Sequence, residues 1–354
     1  MKHKKQNTNA SGAPDLLSLA DVVERFEGKR IVLLGDFVAD SFQYGTITRV
    51  SREAPVLILR HRETRILPGG AANATSNFAA LGARVTPISA VGDDEAGDLL
   101  LQAFREMNVN LSGIVRIKGG ITPTKTRFLA GWAHTVGQQV LRVDYEPQSQ
   151  ITEAHRKKIQ QLLKAKLKNA DALAISDYGL GVATPEAVRE AISAPQQQRH
   201  IPVSLDSRYQ LMAYKRAGVT AATPNEAEIE SLHNIPIGQD LSQLERCGRA
   251  VLRELKLQSL VITRGKDGMA VFRAGEKTVY IPVHGSDQAV DVTGAGDTVL
   301  AAYTLALVSG ASAVEAAHIA NIAGGLVVMK RGTATVSRNE LLDAIRKAAA
   351  GVAP

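Results

Sequence analysis

From Ile151 onward, short apolar runs alternate with amphipathic stretches at close intervals, and no other feature of this chain restricts its fold as tightly. A charged helical pattern to about Lys168 is followed by the strand-like run DALAIS, a helix from Thr184, the runs IPVSLD and VTAAT, and a helix through NEAEIESL. The series continues with a helix around Ser242 to Leu255, the run SLVIT, and a hairpin through MAVF and TVYIPV. Strands separated by helices cannot be hairpin neighbours, so they imply a parallel sheet covered by helices on both faces. The last third reads as helix over Gly296–Ser309, Ala313–Met329 and Arg338–Ala349.

The amino-terminal part behaves differently. RIVLLGD, from Arg30 to Asp36, reads as a buried strand whose carboxyl end presents a polar residue. Between Tyr44 and Leu67 apolar and polar residues partly alternate, which suggests half-exposed antiparallel strands. PGGAANATSNFAALG then opens on a glycine pair and runs into a small-residue helix closed by Gly82. A second half-exposed pair is expected around Ile114–Ile117 and Lys125–Tyr145. Residues 1–28 start basic but lack a following apolar core, so they read as a disordered arm and lead-in, not a signal peptide. The expected fold class is therefore α/β: one three-layer α/β/α domain over residues 29–349, with a mostly parallel central sheet. A small β lid is inserted from about 42–67 and 112–145, and its strand edges could be covered by a second copy in a homodimer.

Composition narrows the function classes. Apolar residues make up 45% of the 354, which excludes disorder as the overall state. Thirty Gly, thirteen Pro and one Cys exclude collagen-like and disulfide-stapled architectures, and the lone Cys247, expected to be buried, fits a reducing, cytoplasmic setting. No run approaches the length of a spanning helix, so no membrane partner is expected. A net charge of +7 admits phosphorylated ligands or nucleic acid, but aromatics at 4% leave no stacking platform, so nucleic acid is not expected. The eight His show no HExxH spacing, and with one Cys a zinc site lacks ligands.

Ligands of an open parallel sheet bind beyond the carboxyl ends of its strands. The polar residues there are Asp36, Asp177, Asp206, Asn225 and Thr263. Singly, each reads as a turn residue or helix cap; together, beside a glycine-rich turn, they outline a site. That turn lies in DVTGAGDTVLAAYTLALVSG, where Gly294, Ala295 and Gly296 precede a helix apolar on nearly every side and therefore buried. Its first turn aims unsatisfied N–H groups and a positive dipole end into the protein, which suits phosphate. Asp297 within this turn could accept a proton from a hydroxyl attacking phosphorus, or could merely complement the dipole. A P-loop is absent, because Gly265-Lys266 has Leu260 where the first Gly belongs and Asp267 where Ser or Thr belongs. GAGDTV also lacks the third glycine of a dinucleotide fingerprint and comes late in the chain. Lys125 and Arg127 alternate on one strand and share a face, which Arg142 could join from the next strand. Such a cation cluster suits a substrate that already carries phosphate, or is simply a solvated edge.

These residues resemble those of the ribokinase-like (PfkB-type) carbohydrate kinases. DVTGAGDT is similar to that family's carboxyl-terminal signature and PGGAANATSNFAALG to its amino-terminal one, with TPNEAE and VITRGKDGM between them, over about Arg30 to Leu342. Within the family, GDFVADSFQYGTITRVSREAPV, TPTKTRF, QQVLRVDYE and GTATVSRNEL resemble the bacterial kinases of D-glycero-β-D-manno-heptose 7-phosphate, which make the 1,7-bisphosphate for ADP-heptose synthesis. Two departures remove basic groups: TVGQQ (Thr135 to Gln139) where those kinases resemble SRNQQ, and Leu180 where a Lys of DYxKG is expected. No HxGH motif occurs, so a fused nucleotidyltransferase is not expected.

The resemblance implies ATP and Mg²⁺ as cofactors, with Asp297 as base for the anomeric hydroxyl and the amides of Gly294, Ala295 and Gly296 as an anion hole. It implies that Asp36, Asp40, Gly69, Gly70 and Asn73 hold sugar hydroxyls. Asn225 and Glu228 would orient Mg²⁺-bound water, Thr263, Arg264 and Gly265 would lie along the nucleotide, and Asn321 would flank the adenine. A kinase of a different sugar, or a binding protein that no longer catalyses, are the rival readings; the intact Asp297 and GAGD speak against the latter.

Overall fold

The computed structural model describes residues 15–131, 138–147, 151–193, 200–285 and 289–351. Helix α1 (Leu16–Glu24) precedes strand β1 (Arg30–Gly35), which runs into two long strands, β2 (Phe37–Val50) and β3 (Leu57–Gly70). Helix α2 (Ala71–Ala80), strand β4 (Arg84–Gly92), helix α3 (Glu95–Glu106) and strands β5 (Ile114–Ile117), β6 (Thr124–Gly131) and β7 (Gln138–Tyr145) follow. The alternating region supplies α4 (Glu153–Leu167), β8 (Ala172–Asp177), α5 (Pro185–Ile192), β9 (Val203–Ser207), β10 (Ala221–Ala222), α6 (Glu226–His233), α7 (Leu241–Glu254) and β11 (Ser259–Thr263). A hairpin of β12 (Met269–Arg273) and β13 (Val279–Ile281) leads to α8 (Ala295–Val308), α9 (Ala313–Val327) and α10 (Arg338–Ala349).

The strands form a nine-stranded sheet in the order β13-β12-β11-β10-β9-β8-β1-β4-β5 and a four-stranded sheet in the order β3-β2-β6-β7. In the large sheet every pair from β11 to β5 is parallel, and only the β11–β12 and β12–β13 pairs are antiparallel. Side chains alternate across each strand, so a buried parallel strand must be apolar on both faces. On β1, Ile31 and Leu33 enter the core shared with α1, α2, α8, α9 and α10. Val32 and Leu34 enter the opposite core, shared with α4, α5 and α7. Strand β8 splits in the same way, Ala172 and Ala174 to one side and Leu173 and Ile175 to the other. The result is the expected three-layer α/β/α arrangement, with the small sheet standing beyond the carboxyl ends of the central strands.

Three sequence expectations change. The lead-in before Arg30 contains α1, whose Leu19, Val22 and Val23 are buried in the core; residues 1–14 of the expected arm lie outside the described residues. Ile114–Ile117, expected with the lid, is β5 and pairs parallel with β4 at the edge of the large sheet. The lid strands extend further than 42–67, so Asp40 and Gly69 sit within paired β structure. Helix α3 went unread, although Asp94 caps it. Cys247 is buried as expected. Among the described residues no helix is long and apolar enough to cross a membrane.

Close backbone packing at the end of β1 decides where the site lies. A Cβ added at Gly35 would stand 2.5 Å from both the Ala71 Cβ and the Ser176 carbonyl oxygen. Only glycine lets α2 and β8 approach β1 this tightly. Replacement Gly35→Ala is expected to cost about 1–3 kcal/mol of stability, read as a lower urea midpoint with an unchanged m-value.

Candidate active site

Beyond the carboxyl ends of β8 to β11, a cavity of about 600 Å³ opens between the large sheet and the lid. From the lid it receives Asp40, Lys125, Arg127 and Arg142; from the strand ends Asp177, Tyr178, Asp206 and Arg208; and from α6 Glu228. The amino end of α8 contributes Gly294, Gly296 and Asp297 to its wall. A second, largely apolar slot of about 180 Å³ adjoins it, lined by Val283, Val299, Val328 and Asn321 and by Gly265 and Gly268. Thr263, Val292 and Gly296 border both cavities, so the start of α8 stands where they meet.

Helix α8 begins on Gly294, which has φ +78°, and is buried from Asp297 through Ala306. A Cβ at Gly294 would sit 2.3 Å from the Asn73 amide nitrogen, so glycine is required by conformation and by space. The Ala295 N–H donates to the Val292 carbonyl at 3.3 Å. No described residue accepts from the N–H of Gly294 or Gly296, so two of the three amides expected in an anion hole are free for a ligand and the third is turned away. Asp297 is fixed by two donors: the Asn73 amide on Oδ2 at 2.8 Å and the Tyr178 hydroxyl on Oδ1 at 3.4 Å. Burial pushes its carboxyl up to about 7, against the pull of the Asn73 bond and with Asp40 adding to the rise.

The lid cations divide by partner. Arg127 is ion-paired to the buried Asp40, and Arg142 to Asp144 at 2.5 Å. Register places Asp40 opposite Lys125 and Arg127 opposite Arg142, which brings all three basic residues to one cavity wall. Lys125 and Arg208 make no ion pair among the described residues. Burial, then the charges of Arg208 and Arg142, lower the Lys125 ammonium below its ordinary range.

Several expected residues sit elsewhere. Asp36 does not line the cavity: its carboxylate accepts the N–H groups of Tyr178 at 2.9 Å, Leu180 at 3.1 Å and Val182 at 2.9 Å, and so pins the loop after β8. Burial raises its carboxyl to about 6 in spite of those bonds. Gly69 makes room for Asp40, whose Oδ2 lies 2.5 Å from where a Cβ would stand, while Gly70 borders the cavity. Asn73 reaches the site through the Asp297 carboxylate and through the Gly294 carbonyl, to which its amide donates at 3.4 Å. Asn225 and Glu228 form a reciprocal capping box at α6, and both also line the cavity. Arg264 turns away, buried against Glu226 at 2.6 Å and the Gly238 carbonyl at 2.9 Å. Gly265 and Asn321 line the apolar slot, and the Asn321 amide donates to the Pro282 carbonyl at 2.8 Å.

Tyr178, Arg208 and Thr223 were missed by the sequence reading. The first two directly follow, or lie two residues beyond, strand-ending acids in SDYGL and LDSRY, and that position was the available signal. Of the residues at the two basic-group departures, Leu180 lines a small cavity beside the lid with Lys125 and Glu146. Gln138 and Gln139 are exposed on β7, and Thr135 to Gly137 lie outside the described residues.

The match to the pfkB family carbohydrate kinase model runs over residues 30–340, which includes every group named above. The chain belongs to the pfkB family of carbohydrate kinases. It is 38% identical over 314 residues to the bifunctional protein HldE of Geobacter sulfurreducens, covering 89% of this chain and 62% of that protein. It is 36% identical over 324 residues to HldE of Mesorhizobium japonicum, covering 91% and 63%. The chain thus spans less than two thirds of the length of these relatives. The fold is similar to Arabidopsis thaliana ribokinase complexed with ribose and ATP, at TM-score 0.69 and 21% identity over 90% of this chain and 99% of that one. It is also similar to Escherichia coli phosphofructokinase-2 in complex with fructose-6-phosphate, at TM-score 0.71 and 20% identity over 90% and 98%.

In this carbohydrate kinase the acids gather around the α8 start. Burial, then the charges of Glu228, Asp297 and Asp177, hold the Asp206 carboxyl well above its usual range, and burial also raises Glu228. The buried Thr223 hydroxyl beside them has no hydrogen-bond partner among the described residues. Among the described residues no three acids or histidines converge tightly enough to hold a bare metal ion. Mutually repelling carboxylates at a cavity wall fit a hydrated divalent cation.

Because folded Asp297 titrates near 7 and an unfolded Asp near 3.9, the folded protein binds more protons in that window and loses stability as pH rises through it. The variant Asp297→Asn is free of this loss. Its melting temperature is expected to exceed the wild-type value by a few degrees at pH 8, with the gap closing toward pH 4, in calorimetric scans.

Proposed function

We propose that this kinase transfers the terminal phosphoryl group of MgATP to the anomeric hydroxyl of D-glycero-β-D-manno-heptose 7-phosphate, giving the 1,7-bisphosphate. One observation carries the reading: Asp297 and the free Gly294 and Gly296 amides stand where an apolar slot meets a basic, lid-covered cavity. The lid sequences resemble heptose kinases, and the family match together with the HldE relatives supports the coarser class, a sugar kinase.

The adenine would occupy the apolar slot beside Asn321, with Thr263 and Gly265 along the nucleotide. The γ-phosphate would meet the Gly294 and Gly296 amides at the positive end of α8. Asp297 accepts the hydroxyl proton as the sugar oxygen bonds to phosphorus, and the bond from phosphorus to the β,γ-bridging oxygen breaks to release ADP. A base titrating near 7 suits this task. Mg²⁺ would neutralise phosphate charge when bound, held through water by Glu228 and Asp206. Asp40, oriented by Arg127, would accept from sugar hydroxyls, and Lys125 would meet the phosphate that the sugar already carries. Closing the lid excludes water, which is otherwise a competing nucleophile. The exposed Val140, Leu141 and Tyr145 on β7 make the lid the face on which a homodimer would form.

A second reading, a kinase of another sugar or sugar phosphate, is favoured by Leu180, an apolar side chain in the small cavity beside Lys125. ATP consumption over heptose 7-phosphate, fructose 6-phosphate, ribose and nucleosides separates the two. The heptose phosphate is expected to give the highest kcat/KM, and preference for any other acceptor would reject the specific substrate. Asp297→Asn should lower kcat by about 10²–10⁴. Lys125→Met should raise KM for the phosphorylated sugar about tenfold to a hundredfold, with a smaller change in KM for ATP.

A further inference from the structure

Tyr178 has no part in the chemistry above, yet it touches both sides of the site. It follows β8 directly, and its N–H donates to Asp36 at 2.9 Å, which fixes the base of the side chain. Its ring packs against Gly70, where a Cβ would come within 3.4 Å of Cε2. The Lys125 ammonium lies 5.6 Å from the ring centroid. Its hydroxyl donates to Asp297 Oδ1 at 3.4 Å, across the carboxylate from the Asn73 amide on Oδ2 at 2.8 Å.

We propose that Tyr178 is a positioning residue joining the two halves of the site: its hydroxyl holds the second oxygen of Asp297, and its ring carries Lys125. The inference rests on the reading of Asp297 as the base. With Asn73 alone, the carboxylate can turn about its Cβ–Cγ bond; a donor on each oxygen fixes its plane toward the sugar. Every element packed around Asp297 brings a polar or charged group: Asn73 from α2, Asp40 from β2, Lys125 from β6, Tyr178 after β8 and Asp206 from β9. The two acids oppose its charge, while Lys125 and the two donors favour it. Burial and the Asp297 charge push the phenol well above its ordinary value, so Tyr178 stays a donor throughout the working range. A cation over the ring adds about 0.5–2 kcal/mol, which holds Lys125 within reach of a substrate phosphate.

The test compares Tyr178→Phe, which keeps the ring, with Tyr178→Leu, which loses both contacts. With heptose 7-phosphate, Tyr178→Phe is expected to leave KM within about twofold and to move the acidic limb of kcat/KM upward by about 0.5–1 pH unit. Activity should recover toward pH 9. Tyr178→Leu should show the same movement and a KM raised about threefold to thirtyfold. A readout without substrate is the ¹³C carboxyl titration of labelled protein, the Asp297 signal being the one absent from Asp297→Asn; it should move upward in Tyr178→Phe. If Asp297→Asn is inactive while limb and titration are unmoved in Tyr178→Phe, the positioning role is wrong and the kinase reading stands. If Asp297→Asn keeps nearly full turnover, the reading of Asp297 as the base fails, and the carboxyl titration still decides whether Tyr178 holds Asp297.

Discussion

The structure turns on an acid buried at the start of a buried helix. Asp297 lies in the first turn of α8, whose next nine residues are also buried, and burial disfavours its charged form. An ordinary core would replace such a group with an apolar one. Here Asn73 and Tyr178 hold it in place, and under the proposed function the cost of burying it is offset because the same desolvation tunes the carboxyl to the range where a base is useful. The three-layer fold supplies the rigidity: α8 packs on α2 and α9 and on strands β8 and β9, so its amino end cannot retreat from the cavity.

Around that acid, charge is sorted by pairing. Arg127 and Arg142 have carboxylate partners of their own and act as lid structure, while Lys125 and Arg208 remain for a ligand. The acids divide likewise. Asp36 spends its oxygens on three loop amides, whereas Asp206 and Glu228 face the cavity together with Asp297. A net anionic floor with free helix amides beside it, under a cationic lid, is a field that suits a multiply charged phosphate arriving with a divalent cation.

Much of this was legible in the chain. The parallel sheet followed from strands and helices in alternation, and the buried α8 from a run with no polar face. Strand periodicity put Lys125 and Arg127 on one face; the β6–β7 register then set Arg142 beside Arg127, and the fold made that face a cavity wall. Arg264 and Asp36 were misplaced because a strand-end position does not say which way a side chain turns. Arg264 found Glu226 on α6, and Asp36 found amides 142 to 146 residues away. Helix α1 was read as lead-in because its apolar face is partnered by α10, at the other end of the chain.

The sequence by itself determined the layer architecture, the buried helix and the presence of an acid in its first turn, because these depend on local periodicity and on backbone groups that every helix start exposes. Only the tertiary structure decided which charges are free, since a charge is silenced by whatever partner packing brings within a few ångströms, and that partner is usually far away in the chain. Tyr178 belongs to this second class: nothing in SDYGL tells that its hydroxyl meets Asp297, 119 residues later, or that its ring lies beneath Lys125.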